Sequence, residues 1–435
     1  MAAVDALGDL LAEEDTRLCR DISEAHCRDQ PGNALRMTLA QSAASIGDAL
    51  ADPKVVMPWL MGVVGAPAFL TSMIVPIRES LALLPQILIG ASIRRFAVRK
   101  RFWIWASVVE GLAVLAMAAV ALSGLEGTEA GWPVIGAVVV FSLARSVASI
   151  AWKDVLGKTV AKGRRGRVGG HAAAVSGAVA AGVGLYLGLA PEAARPEWLL
   201  YALLAAAAAG WGVGALTLTR LQEHPGATEG GRSLADIAMS QIRLILGDAE
   251  LRRFLLARAL MISTALSSPI YVALAQRSGG GALANLGWLM LASGAAGAVS
   301  SSFWGLMSDR SSRAVMALGA LISALVGLAA LAGLHFEPDL MQGVAPFGAA
   351  LFVLGVGHAG VRIGRKTQIV DIAGPESKSE YVAVSNTIIG VLLLGVGAAV
   401  GALAAFSLEA ALLALSVLAL AGAGVAFTLR NAQAA

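Results

Sequence analysis

The sequence predicts an all-α membrane protein in which 12 transmembrane helices form two pseudo-symmetric six-helix bundles. Three observations carry that prediction. Hydrophobic residues make up 57% of the 435 and charged residues only 14%, with a mean hydropathy of +0.73, whereas a soluble domain holds about 45–50% apolar and about 25% charged residues. Apolar runs of about 20 residues, enough to cross about 30 Å of hydrocarbon, recur along the chain. Short features also return at an offset near 215 residues, as in a duplicated architecture. The composition excludes an ordinary soluble enzyme, a disordered chain and a secreted disulfide scaffold.

Seven runs free of Asp, Glu, Lys and Arg are long enough to span: 168–191, 198–219, 278–308, 314–336, 340–361, 381–408 and 410–429. The first two crossings need a different cut. Residues 55–77 look like one helix, but that leaves only fourteen residues, 80–93, or about 21 Å at 1.5 Å per residue. The turn signal Gly62-Val-Val-Gly65-Ala-Pro67 divides the run instead, giving span 1 over 34–62 and span 2 over 66–94. Pro53 and Pro85 then fall inside these spans, where each removes a backbone donor and disturbs its helix. The other ten spans are 101–124, 131–157, 167–190, 197–220, 251–277, 282–308, 313–335, 342–364, 379–404 and 407–429. An acidic cytoplasmic tail (1–33), a first bundle (34–220), a central cytoplasmic loop (221–250) and a second bundle (251–430) follow from this division.

Orientation comes from Lys and Arg in the loops. Twenty lie on one side, including Arg94, Arg95, Arg99, Lys100 and Arg101, against Arg195 and Arg277 on the other. Both termini are therefore expected in the cytoplasm and the number of spans must be even. The first thirty residues are acidic and lack the apolar core of a signal peptide. In the tail Leu7, Leu11, Leu18 and Ile22 make one helical stripe, a cytoplasmic helix that folds onto the protein or stays partly mobile. Cys19 and Cys27 imply no disulfide framework. With His26 they do not complete a metal site. In the central loop Ser233-Leu-Ala-Asp236 opens a surface helix. No Walker loop or zinc-protease motif is present, so no cofactor is expected, and the basic Gly163-Arg-Arg-Gly-Arg167 is a loop on the positive side, which topology explains better than nucleic-acid binding.

The two halves repeat in detail. Gly65 meets Gly280 and Gly90 meets Gly305 at an offset of 215, while Arg145, Ser149 and Lys153 meet His358, Arg362 and Lys366 at 213. Span 8 ends in Gly305-Leu-Met-Ser-Asp309-Arg310-Ser-Ser-Arg313. With the 6+6 arrangement, this resembles the major facilitator superfamily and its Gly-x-x-x-Asp-Arg-x-x-Arg loop motif, over about residues 34–430. The first-half copy, Gly90-Ala-Ser-Ile-Arg94-Arg95, carries Arg94 at the acidic position. The family's span-4 arginine corresponds to Arg145, though Ala148 and Ser149 stand where Gln and Gly usually follow. The resemblance implies an alternating-access transporter whose spans 1, 4, 7 and 10 line a central cavity, with Gly305, Asp309, Arg310, Arg313, Gly90 and Arg95 in conformational gating. Binding near the midplane also has a general rationale.

Ionisable side chains inside a bilayer are costly and normally face a bundle interior or a wet cavity. Span 1 sets Gln41, Ser45, Asp48 and Asp52 on one helical face. Two carboxylates one turn apart repel, which favours protonation of one of them. Asp48 and Asp52 are thus proton-coupling candidates, or else ion-pair partners of Lys54, Arg78 or Arg145. His358 and Glu110 are further proton candidates, with Glu110 also read as a structural pair. Arg78-Glu79 in span 2 reads as a structural pair with neighbouring helices. Gln41, Arg145, Ser149, Arg258, His358 and Arg362 are substrate-binding candidates, because clustered arginines recognise carboxylate and phosphate. Lys153 and Lys366 are expected to snorkel to the cytoplasmic surface. Asn386 and Thr387 are read as packing groups.

The function expected is a secondary active transporter of a small solute, anionic or amphiphilic and proton-coupled, working by alternating access as a monomer in the cytoplasmic membrane. A transporter-shaped assembly factor and an uncoupled facilitator are the alternatives.

Overall fold

The computed structural model describes residues 22–226, 228, 234–373 and 377–431. Among the described residues there is no strand. Among the same residues eleven helical stretches are long and apolar enough to cross a bilayer. The remaining crossing, span 1, is made by two shorter helices, Gln30–Leu50 and Val56–Val63. They are separated at Asp52-Pro53, where the Asp52 carboxylate accepts hydrogen bonds from the amides of Lys54 (2.8 Å) and Val55 (2.9 Å). Span 2 divides at Pro85 into Ala68–Leu83 and Gln86–Ile93. Span 7 divides into Ala249–Leu260 and Ser263–Gly279, a break that no proline at Met261-Ile262 announces.

Spans 3 to 6 are Lys100–Leu122, Gly127–Thr159, Lys162–Leu189 and Trp198–Thr219. Spans 8 to 12 are Leu283–Ser308, Ser312–Phe336, Ala345–Ile372, Lys378–Phe406 and Leu408–Phe427. Span 10 runs eight residues beyond its expected end at 364, which places Arg365 and Lys366 within the helix rather than in a loop. The large apolar side chains left outside, such as Trp105 and Phe406 (69% and 89% exposed), form the kind of surface that lipid covers.

The repeat is visible in the backbone. Gly65 and Gly280 both close a helix with positive φ (65° and 74°), a conformation open to glycine without steric cost. Gly127 and Gly343, at the starts of spans 4 and 10, are also left-handed. Each donates its amide back to the turn after the first span of its half, to Val64 (2.8 Å) and Ser278 (3.4 Å). The halves meet along two seams. Span 2 packs on span 11, with the Ser80 hydroxyl donating to the Gly390 carbonyl. Span 5 packs on span 8, where a methyl group at Gly287 would lie 2.6 Å from the Gly188 nitrogen. Small residues permit this close approach, which carries packing where lipid leaves no water to expel.

At the face rich in Lys and Arg, the tail docks onto the segment after span 6. The Asn33 side chain exchanges hydrogen bonds with the Gln222 backbone (2.8 and 3.0 Å). His26 Nε2 accepts from the His224 amide (3.1 Å), and the His224 ring bonds Asp29 (2.7 Å). The buried Glu223 side chain takes the amides of Arg99 and Lys100 and the ammonium of Lys158. The helix Leu234–Gly247 occupies the central loop, while Ser233, Leu7, Leu11 and Leu18 lie outside the described residues. Cys27 is disulfide-bonded, contrary to the expectation from sequence; Cys19 lies outside the described residues.

Candidate functional site

Near the middle of the fold the broken span 1 brings Lys54 to the boundary between the halves. Its Nζ lies 2.9 Å from His358 Nε2 on span 10. The other ring nitrogen, Nδ1, is 3.0 Å from Thr264 Oγ1 on span 7. Lysine carries donors only, so Nε2 accepts and Nδ1–H donates to the threonine oxygen: the geometry requires neutral imidazole. On the side away from the basic face, spans 1 and 7 close over this point, with Gln276 Nε2 donating to the Trp59 carbonyl (3.0 Å).

Below that closure lies a cavity of about 530 Å³. Lys54, Arg78, Glu79 and Lys153 line it from the first half, and Arg258, Thr264, His358, Arg362, Arg365, Lys366 and Asn386 from the second. Seven of these are Lys or Arg and one is a carboxylate. Arg258 is anchored by Ser385 and by Asn386 Oδ1 (3.0 Å), yet its buried Nε has no acceptor. Arg362 and Lys366 stand one turn apart, about 6 Å along the helix. Like charges four residues apart on a helix repel, by about 0.2–0.5 kcal/mol where water reaches them. Arg78 and Glu79 pair with each other at 2.9 Å and both line the cavity. The long arginine side chain folds back onto its neighbour, which the 100° offset of adjacent residues does not prevent. Lys153 and Lys366, expected to snorkel, also line the cavity.

The other predicted residues lie elsewhere. Arg145 on span 4 pairs with Asp48 on span 1 and, at 3.5 Å, with Glu110 on span 3. Gln41 donates to Ser45 (3.3 Å), and Asp52 caps the break in span 1. Asp48, Asp52, Glu110, Arg145, Gln41 and Ser149 are absent from the cavity lining. Of the binding candidates Arg258, His358 and Arg362 are brought together. In the loop motif, Asp309 and Arg310 are exposed, Gly90 and Gly305 have open space where a side chain would stand, and Arg313 donates to the Leu429 carbonyl (2.7 Å), tying span 9 to the end of span 12. Arg95 is exposed at the end of span 2.

Lys54, Arg365 and Asn386 line the cavity as well, although their sequence positions do not mark them as site residues. The Asp52-Pro53 break was the available signal for Lys54, since a broken helix at mid-membrane is tolerated where it lines a cavity. Arg365 was misplaced by the early end assigned to span 10.

The sequence model of the Major Facilitator Superfamily matches residues 37–390. The chain belongs to the major facilitator superfamily. Solved structures with the same fold include a peptide transporter POT in complex with sulfate (TM-score 0.64, 13% identity, 97% of this chain and 100% of that one). The nucleoside transporter NupG (0.66, 10%, 91% and 97%) and a D-xylose-proton symporter (0.65, 11%, 92% and 98%) are also similar. Identities this low establish the fold alone. No curated protein sequence matches the chain. As a member of the major facilitator superfamily, the chain is a multi-pass membrane protein with a transporter architecture.

Proposed function

We propose that this chain is a secondary active transporter in the cytoplasmic membrane, both termini cytoplasmic. It carries a small anionic or amphiphilic solute through the central cavity by alternating access, coupled to protons, as a monomer and without a cofactor. The observation that carries this reading is the Lys54–His358 contact, which joins the halves at the deep end of a cationic cavity. Protonating His358 removes the acceptor at Nε2 and sets a second cation beside Lys54, with Arg362 and Arg365 near it and Glu79 the lone carboxylate in the lining. That contact is then lost unless an anion lies between the groups. Proton and anionic solute therefore favour each other's binding, a reciprocity that linkage demands, and with both bound the direct Lys54–His358 tie is replaced by one bridged by the solute. Rocking of the halves would open the Trp59–Gln276 closure and expose the site to the other side. His358 takes precedence over Asp48 and Glu110 as the proton carrier because Arg145 already engages both carboxylates.

The test is uptake into liposomes under an imposed pH gradient. Wild-type protein should accumulate solute with an inward proton gradient, and His358→Gln should carry it at a rate indifferent to the gradient. Gradient-driven accumulation by that variant would defeat the coupling role, and absence of flux for every solute would defeat transport itself.

A further inference from the structure

We infer that the solute is a multiply charged organic anion, with two or more negative charges at one end and an apolar body at the other. The inference rests on the transporter reading only in taking the cavity as the solute site. The cavity's single carboxylate, Glu79, is already held by Arg78. Among the described residues, none of the other six lining cations has a carboxylate within ion-pair distance. A monoanion would leave most of that charge uncompensated, so charge balance favours a ligand that brings several negative charges.

The donor geometry agrees. Arg258 is 8% exposed and lines the cavity, with its terminal nitrogens held by Ser385 and Asn386. Arg362 and Lys366, both exposed to the cavity, present donors one helical turn apart. A guanidinium fork matches the paired oxygens of a carboxylate or phosphate, and these groups together offer sites for more than one oxyanion oxygen pair. The remaining wall is of another kind. Val382, Ile389 and Leu393 of span 11 line the same cavity at i, i+7 and i+11, one face of a helix. A small hydrated ion gains nothing from such a wall, whereas an apolar body does. At about 530 Å³ the cavity is within the range of about 300–1,000 Å³ that holds organic ligands. Phosphomonoester and dicarboxylate share the chemistry that this wall recognises.

The experiment is calorimetric titration of the full chain in phosphatidylcholine nanodiscs at pH 7.5. The probes are phenyl phosphate, phthalate, benzoate, benzyl alcohol and inorganic phosphate. At least one of the two aromatic dianions should bind tenfold or more tightly than each of the other three, and which of them does so separates the phosphate from the dicarboxylate source. Arg362→Gln and Lys366→Gln, each accepted only if its melting temperature is retained, should each weaken that binding by at least tenfold. The inference is overturned if neither dianion binds, if benzoate, benzyl alcohol or inorganic phosphate binds as tightly, or if both folded variants keep wild-type affinity. The probe series on wild-type protein decides the matter even where a variant fails to fold. Uptake into liposomes separates the two readings: a dianion that binds without being carried sinks transport and leaves this inference standing, while a carried solute that proves neutral or singly charged sinks this inference alone.

Discussion

The two halves descend from one pattern but treat their charges differently. In the first half Arg145 is satisfied within the bundle, by Asp48 and by Glu110, whose side chain is 1% exposed. In the second half the counterpart of Arg145 is His358, and Arg362, Arg365 and Lys366 follow it with no carboxylate at ion-pair distance among the described residues. At the repeat offsets of 213 to 216, Asp48 corresponds to a position in 261–264 and Glu110 to one in 323–326, and none of those residues is acidic. Arg145 thus uses its buried charge to hold helices together, whereas the charges at and after its counterpart position stand unpaired at the cavity. A buried charge that loses its partner is far more costly than one that never had a partner and stays wet.

The largest test of this contrast is stability. Arg145→Met strands the buried Glu110 and leaves Asp48 unpaired, so unfolding in detergent should become easier by about 3–5 kcal/mol. Arg362→Gln, in the wet cavity, should shift stability by no more than about 0.5 kcal/mol. Equal losses in the two variants, measured by thermal or denaturant melts, would abolish the distinction between the halves.

A smaller effect is expected where the second bundle begins. Asp248 caps the helix Ala249–Leu260 through the amides of Glu250 and Leu251 and accepts the Tyr381 hydroxyl at 2.5 Å. Burial works against its charge, but the hydrogen bonds from Tyr381 and the two amides prevail and hold its carboxyl below the usual 3.8. Its contribution is therefore present above that value and lost as pH falls through the lower folded one. Asp248→Ala should cost about 1 kcal/mol at neutral pH, and the gap between variant and wild-type melts should close toward pH 3. A constant gap would remove the carboxylate from the account.

The smallest effect concerns the docked tail of the first half. Burial first, then the neighbouring His224 and Lys158, holds the His26 imidazole below its usual 6.5, with Glu223 and Asp29 opposing. The docked state therefore binds fewer protons than the free one, and docking is favoured above 6.5 and weakens as pH falls below it. Hydrogen exchange of amides in residues 24–33 should accelerate between pH 7.5 and 5.5, after correction for intrinsic rates, and His26→Gln should remove that pH dependence. A tail equally protected at both values would show that the histidine is incidental.

Much of this was legible in the sequence because it depends on local chemistry. The span lengths follow from hydrocarbon thickness, the turns at Gly65 and Gly280 from backbone freedom, and the breaks at Pro53 and Pro85 from a missing donor. The break at Met261-Ile262 has no such marker and was not legible. Nor was the pairing of Arg78 with its own neighbour Glu79, since periodicity fixes where a side chain starts and not how far it bends.

The sequence by itself determined a membrane-spanning helical duplication and the identity of its costly charges, because bilayer thickness and backbone hydrogen bonding act on each segment independently. Only the tertiary structure decided which charges meet. Asp48 and Lys54 are six residues apart on span 1, yet one faces Arg145 within its own bundle and the other His358 across the divide. Partnership in a helical bundle depends on helix rotation and on a break of a few residues, and no single segment encodes the position of its neighbour.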